Sequence, residues 1–160
     1  TRLGLITNLA KMSGSSGLAG GQSLDLLYEK KIVSEKEIIM MHDLKTAKLF
    51  EFCMLSPLVL SGKNTPAREK EYRKYGKNFG LIFQATDDLL DYEGEKHITG
   101  KKTKKDLKKN KGSIIKYKNS EEVKVYCKKL ADSATIKTID FKNPKNIFNT
   151  LIYNIIDRTS

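Results

Sequence analysis

Apolar positions recur along most of this chain at the three-and-four spacing of helices that bury one face. The clearest run opens at Ser34. There "SEKE" sets Glu37 three positions after a hydroxyl, the pairing that satisfies the free N–H groups of a helix start. The stretch behind it, "IIMMHDLKTAKLFEFCMLSPLVLSG", carries a broad apolar stripe and is predicted to end or kink near Pro57 and to stop at Gly62. Thr65 and Pro66 open a second helix, expected to run to about Tyr92 and to end at Gly94. Upstream, "SGSSGLAGGQSLDLL" predicts a glycine-rich turn leading into a helix at about Leu18. Residues 95–112 read as a basic loop, with His97 exposed on it and glycines at 100 and 112. A further helix is expected from near Ser120 past Leu130, and Asn143 and Pro144 start a last one, "KNIFNTLIYNIIDR". No strand alternation and no internal repeat emerge. The expectation is an all-α helical bundle, one domain or a piece of one.

Composition narrows the function classes. A hydrophobic content of 39% is enough for a core. The net charge of +11 would suit a nucleic-acid binder. Yet only Arg2, Arg68, Arg73 and Arg158 among the 30 basic residues are arginines, the type that makes bidentate phosphate and base contacts. There is no Trp and no aromatic ladder among the lysines, so most of those lysines read as solvated surface and no nucleic-acid partner is expected. Cys53 and Cys127 stand far apart and form no CxxC pair, which fits reduced thiols in a cytoplasmic protein. No apolar run reaches the length of a membrane span, and no signal peptide is expected.

Against this basic background, "QATDDLLDYEG" at 84–94 gathers four acids. At about 100° per residue, with Gln84 set at zero, Asp88 falls near 40°, Asp91 near 340° and Asp87 near 300°. Three carboxylates on one arc repel unless cations sit among them. Oxygen ligands of this kind suit Mg²⁺ held jointly with substrate phosphates. A solvated acidic helix end is the plain alternative, but it would sit at the wrong end for the helix dipole. Gly76 and Gly80 lie near the same line, which predicts an open face upstream. Lys45 and Thr46 in "HDLKTAK", Lys101 after Gly100 and Lys111 before Gly112 are candidate anion binders. Singly, each is more simply a surface residue. Together, carboxylates on one side and ammonium groups on the other suit a diphosphate.

Five segments then carry a resemblance. "GGQSLDL", "MHDLKTAKLF", "GLIFQATDDLLDYEG", "ITGKKTKKDLKKNKGS" and "IYNIIDR" follow, in order, GGQ-x-x-D, H-x-x-KT, FQ-x-x-DD-x-x-D, GK-x-x-x-x-D with NK-x-S, and a final helix. The chain resembles the C-terminal half of the trans-isoprenyl diphosphate synthases, the farnesyl and geranylgeranyl diphosphate synthase family, over essentially all of residues 1–160. The resemblance implies an all-α bundle of the isoprenoid synthase type around a deep cavity, and condensation of isopentenyl diphosphate with an allylic diphosphate. It implies that Asp87 and Asp91 ligate Mg²⁺, with Asp88 ligating or supporting it. Lys45, Lys101 and Lys111 would hold the allylic diphosphate. Thr46, Gln84 and the Lys45 carbonyl would line the cationic centre, and Phe83 would sit against the isopentenyl group.

The family's first aspartate-rich motif does not occur in these residues, where "DDLLD" is the only DDxxD match. "KKTKKD" also has lysines where many members have glycine. Half of the implied metal site is therefore absent, and the chain by itself is expected to have little or no synthase activity. It is also expected to expose an apolar cavity wall that asks for a partner, either the missing N-terminal half or another copy or homologue. Three readings follow: part of a prenyltransferase, a non-catalytic truncated homologue that tunes a full-length synthase, or a basic nucleic-acid binder.

Overall fold

A computed structural model describes residues 2–99, 112–134 and 147–158. Among them there is no strand. Helices α1 (Arg2–Ser13) and α2 (Leu18–Tyr28) precede α3 (Glu35–His42), which passes through a widened π turn, Asp43–Ala47, directly into α4 (Lys48–Leu60). The 34-residue α5 (Pro66–Thr99) is the central element. A short 3-10 turn (Ile114–Lys116), α6 (Ser120–Ser133) and α7 (Ile147–Ile156) follow.

Local chemistry explains several boundaries. The Ser34 side chain accepts from the Glu37 N–H, and the Glu37 carboxylate accepts from the Ser34 N–H at 2.7 Å. Asn119 and Glu122 make the same reciprocal pair at the start of α6. Thr65 caps α5 by accepting from the Arg68 N–H, and Pro66 occupies the first helical position, where its missing N–H costs nothing. Gly62, at φ 67°, closes the turn after α4 in a conformation that other residues rarely adopt.

Three expectations change. Of the end or kink expected near Pro57, the end does not occur: Pro57 sits inside α4, which runs to Leu60, next to the expected stop at Gly62. Pro57 leaves the Cys53 carbonyl without its helical donor, and the Ser56 hydroxyl donates there at 3.4 Å. Helix α5 continues past Gly94 to Thr99, because Gly94 does not take the positive φ that would terminate it; residues 95–99, including His97, are therefore helical. The face at Gly76 and Gly80 is not open. A Cβ on Gly76 would lie 2.7 Å from the Glu51 Cα of α4, and one on Gly80 would lie 2.5 Å from the Ala47 Cα at the end of the π turn, so these glycines admit neighbouring backbone instead of a ligand. Helix α1 carries no boundary signal in the sequence comparable to the others. The predicted helix start at Asn143 and Pro144 and the basic stretch 100–111 lie outside the described residues.

The core forms where α5 meets its neighbours. Tyr75, Asn78, Ile82, Ala85 and Leu89 recur every three or four residues along its buried stripe. Val123, Cys127 and Ala131 of α6 and Ile152 of α7 belong to the same apolar cluster. Asn78 is polar yet buried, and its amide donates to the Leu130 carbonyl at 2.8 Å and to the Ser133 hydroxyl at 2.7 Å. The Tyr75 hydroxyl donates to the Phe148 carbonyl at 2.6 Å, tying α7 to α5. Burial of this kind raises the ionisation of the Cys127 thiol and the Tyr126 phenol to about 12 each.

Candidate active site

The site begins with the π turn. One extra residue in the Asp43–Ala47 segment widens the helix, a feature that recurs at functional sites. Two glycines accommodate it. A Cβ on Gly21 of α2 would fall 2.2 Å from the Lys45 backbone nitrogen, and Gly80 of α5 approaches Ala47 from another helix. The turn thereby packs against α2 and α5.

Lys45 and Gln84 line one open cleft of about 330 Å³ together with Asp87, Asp88 and Asp91. Asp25, Glu29, Met41, His42, Gly112 and Ser113 complete the lining. The Lys45 ammonium donates to Asp25 Oδ2 at 2.6 Å. An ammonium has three donors, so two remain for another acceptor. Thr46 does not line this cleft, but its hydroxyl donates to Gln84 Oε1 at 2.7 Å.

The three aspartates occupy different environments. The Asp88 side chain is 10% exposed, and both of its oxygens accept from protein donors, Gln84 Nε2 at 3.0 Å and the Ile114 N–H at 2.9 Å. The Asp87 side chain is 50% exposed and pairs with Arg158 Nη2 at 3.0 Å. Asp91 is exposed. Asp87 and Asp91 also line a second cleft of about 670 Å³ on the side of α7, with Leu89, Leu90, Ile156 and Arg158. They therefore stand on a ridge between two cavities.

His42 is buried, and its Nε2 lies 3.1 Å from the Gly112 carbonyl. A carbonyl only accepts, so Nε2 carries the hydrogen in this contact. Phe83 does not line the Lys45 cleft. Its ring lies between Phe50, at 5.4 Å between centroids, and the Arg158 guanidinium, 4.6 Å above it. Lys101 and Lys111 lie outside the described residues. Sequence reasoning gave no role to Asp25, Glu29 or Arg158. Asp25 and Arg158 lie within "GGQSLDL" and "IYNIIDR", but nothing in a linear pattern pairs them with Lys45 and Asp87.

Among the described residues no three His, Cys, Asp or Glu side chains are grouped so as to enclose a metal ion unaided. The donor set nevertheless fits Mg²⁺ in a shared site: two carboxylates one helical turn apart on an open wall, with room for water and phosphate oxygens. No helix among the described residues is long and apolar enough to cross a membrane.

Fold and cleft together define a class: helical proteins in which a carboxylate-bearing helix faces an ammonium across an open cavity. Comparison with known proteins gives that class its family. The family model described as "Polyprenyl synthetase" matches residues 5–147. Farnesyl diphosphate synthase of Micrococcus luteus is 33% identical over 161 aligned positions, covering 98% of this chain and 54% of that protein. The crystal structure of an FPP/GFPP synthase from Zymomonas mobilis superposes with a TM-score of 0.77 at 28% identity, over 96% of this chain and 50% of that one. A geranyltransferase from Helicobacter pylori, complexed with magnesium and isoprenyl diphosphate, gives 0.73 at 25% identity, over 97% and 50%. The chain belongs to the polyprenyl synthetase family, and it spans about half the length of these relatives.

Proposed function

We propose that residues 1–160 form the C-terminal half of a polyprenyl synthetase domain and supply one wall of a site that condenses isopentenyl diphosphate with an allylic diphosphate. The observation that carries this reading is the convergence of Lys45, Gln84, Asp87 and Asp91 on a single cleft. Asp87 and Asp91 would hold Mg²⁺, with Asp88 in support. Bound there, the metal would supply positive charge to a diphosphate leaving group. The Lys45 ammonium, steadied by Asp25, offers its remaining hydrogens to the same phosphate oxygens. Gln84 on the cleft wall, with Thr46 hydrogen-bonded behind it, would offer neutral oxygen dipoles to a developing allylic cation, which stabilises it without a nucleophile. Lys101 and Lys111 would add to diphosphate binding, and Phe83 would face the isopentenyl group.

The relatives' names support the reading, because the matched proteins are farnesyl and related diphosphate synthases. A partner half follows from the same logic. One aspartate-rich motif presents too few carboxylates for several ions, and Leu3, Ile6, Leu26 and Leu60 are exposed. The test is an assay with Mg²⁺, isopentenyl diphosphate and dimethylallyl diphosphate. The 160-residue chain alone should run at background. Adding the N-terminal half of a related synthase should restore turnover, and Asp87→Ala should remove it. A folded, associated pair without turnover would refute the proposal in favour of a non-catalytic partner of full-length synthases.

A further inference from the structure

We infer that Asp88 is a positioning residue that sets which end of the Gln84 carboxamide faces the reaction centre. The inference rests on the functional reading above for its consequence and on hydrogen-bond geometry for its substance.

Gln84 sits between two partners. Its Oε1 accepts from the Thr46 hydroxyl, and its Nε2 donates to Asp88 Oδ1. Thr46 cannot decide the orientation, because a hydroxyl donates or accepts with equal ease. The carboxylate can, because it only accepts. With Asp88 at one end, the NH₂ must turn towards it and the oxygen must turn towards Thr46. Asp88 is itself held. Its Oδ2 takes the backbone N–H of Ile114, a residue with no exposed surface. His42 fixes the same segment through the Gly112 carbonyl, with its Nε2 3.7 Å from Asp88 Oδ2. The result is a line of polarity running from Ile114 through Asp88 and Gln84 to Thr46. At its Thr46 end, one residue along the chain from Lys45, Gln84 presents an oxygen and not a hydrogen. An amide presented the other way would aim positive charge at a developing carbocation.

Asp88→Asn gives a sharp outcome. The new carboxamide can keep the Ile114 N–H on its oxygen while its NH₂ meets Gln84. Gln84 must then rotate, offering Oε1 to position 88 and Nε2 to Thr46. Every hydrogen bond survives, and only the polarity reverses. In contrast, Asp88→Ala leaves Ile114 without its acceptor.

Nuclear Overhauser contacts of the Gln84 side-chain NH₂ in the 160-residue chain read the orientation directly. In wild type and Asp87→Asn they should exclude Thr46. In Asp88→Asn they should connect to the Thr46 methyl. The Ile114 amide should exchange about tenfold faster in Asp88→Ala, and little faster in Asp88→Asn. In the enzyme reconstituted with its N-terminal half, Asp88→Asn should lower kcat by about 10²-fold with KM little changed. Wild-type contacts from the Gln84 NH₂ to Thr46 would overturn the inference without any variant having to fold. So would an amide that stays put in Asp88→Asn, or reversal without loss of kcat. If wild type itself shows no turnover on reconstitution, the functional reading fails, and the resonance contacts alone decide the hydrogen-bond claim.

Discussion

Gly21→Ala tests whether the π turn depends on its packing. A methyl at this position would lie 2.2 Å from the Lys45 nitrogen, 2.5 Å from its Cα and 2.7 Å from the Leu44 carbonyl carbon. Carbon atoms in contact need about 3.5–4.0 Å, so α2 would have to retreat on the order of 1.5 Å. All three atoms are backbone, and none can swing aside. Alanine favours a helix over glycine by about 1 kcal/mol, which offsets part of the clash. Overpacking against side chains costs about 1–3 kcal/mol, and rigid backbone belongs at or above the top of that range, so a net loss of about 2 kcal/mol is expected. Asp25 follows Gly21 by one helical turn, so the same retreat would pull it from the Lys45 ammonium, now 2.6 Å away.

Urea unfolding followed by circular dichroism measures the loss. Gly94→Ala is the internal control. It lies inside α5 with nothing within 4 Å of its would-be Cβ, so the propensity gain should appear there unopposed. If Gly21→Ala proves as stable as Gly94→Ala, the close approach is not what shapes the turn.

Asn78→Leu should cost about 1–3 kcal/mol, read as a lower urea midpoint with an unchanged slope, since it removes both buried donations to the end of α6. An unchanged midpoint would mean that apolar packing replaces those bonds in full. Stability should also fall on the alkaline side. Cys127 rises from 9.0 and Tyr126 from 10.0 to about 12, and burial raises Tyr75 further. A raised ionisation means that the folded chain keeps a proton the unfolded chain has released, so stability is intact below pH about 9 and drains as pH climbs towards about 12. Thermal midpoints between pH 8 and 11 should show the decline, and Tyr126→Phe should flatten it.

The parts of this fold legible in the sequence are those decided within a few residues. Ser34 with Glu37 and Thr65 with Pro66 marked true helix starts, because a cap is satisfied by its own first turn. The π turn was illegible, because its neighbours are Gly21, more than twenty positions earlier, and Gly80, more than thirty later. Gly76 and Gly80 were misjudged for a related reason. A bare stripe on a helix accommodates a ligand or another backbone equally well, and only the partner helix decides. The acidic cluster was legible as a cluster but not in its internal differences. An arc drawn around one helix ignores what stands beside each position, and here Ile114 and Gln84 engage Asp88 while Arg158 engages Asp87.

That environment also explains how a chain with a net charge of +11 gathers acids in one place. Of the described groups lining the Lys45 cleft, five are carboxylates, on Asp25, Glu29, Asp87, Asp88 and Asp91, and Lys45 supplies the one ammonium. Lys45 is paired with Asp25, Arg158 with Asp87, and Asp88 is satisfied by backbone and amide donors, so on the Asp87 side of the cleft the five carboxylates of the lining still outnumber these two cations. A bare diphosphate entering from that side meets like charge, which opposes its binding. A diphosphate already carrying divalent cations does not, because the ions lie between the two sets of oxygens and are attracted to both. The surplus of lysines elsewhere does not alter this, since charges on exposed surface more than about 8 Å away are largely screened at physiological salt. The acids in "DDLLD" therefore fit a surface that accepts phosphate only in company with metal, and Lys45 supplies the one ammonium among the described residues that line this cleft.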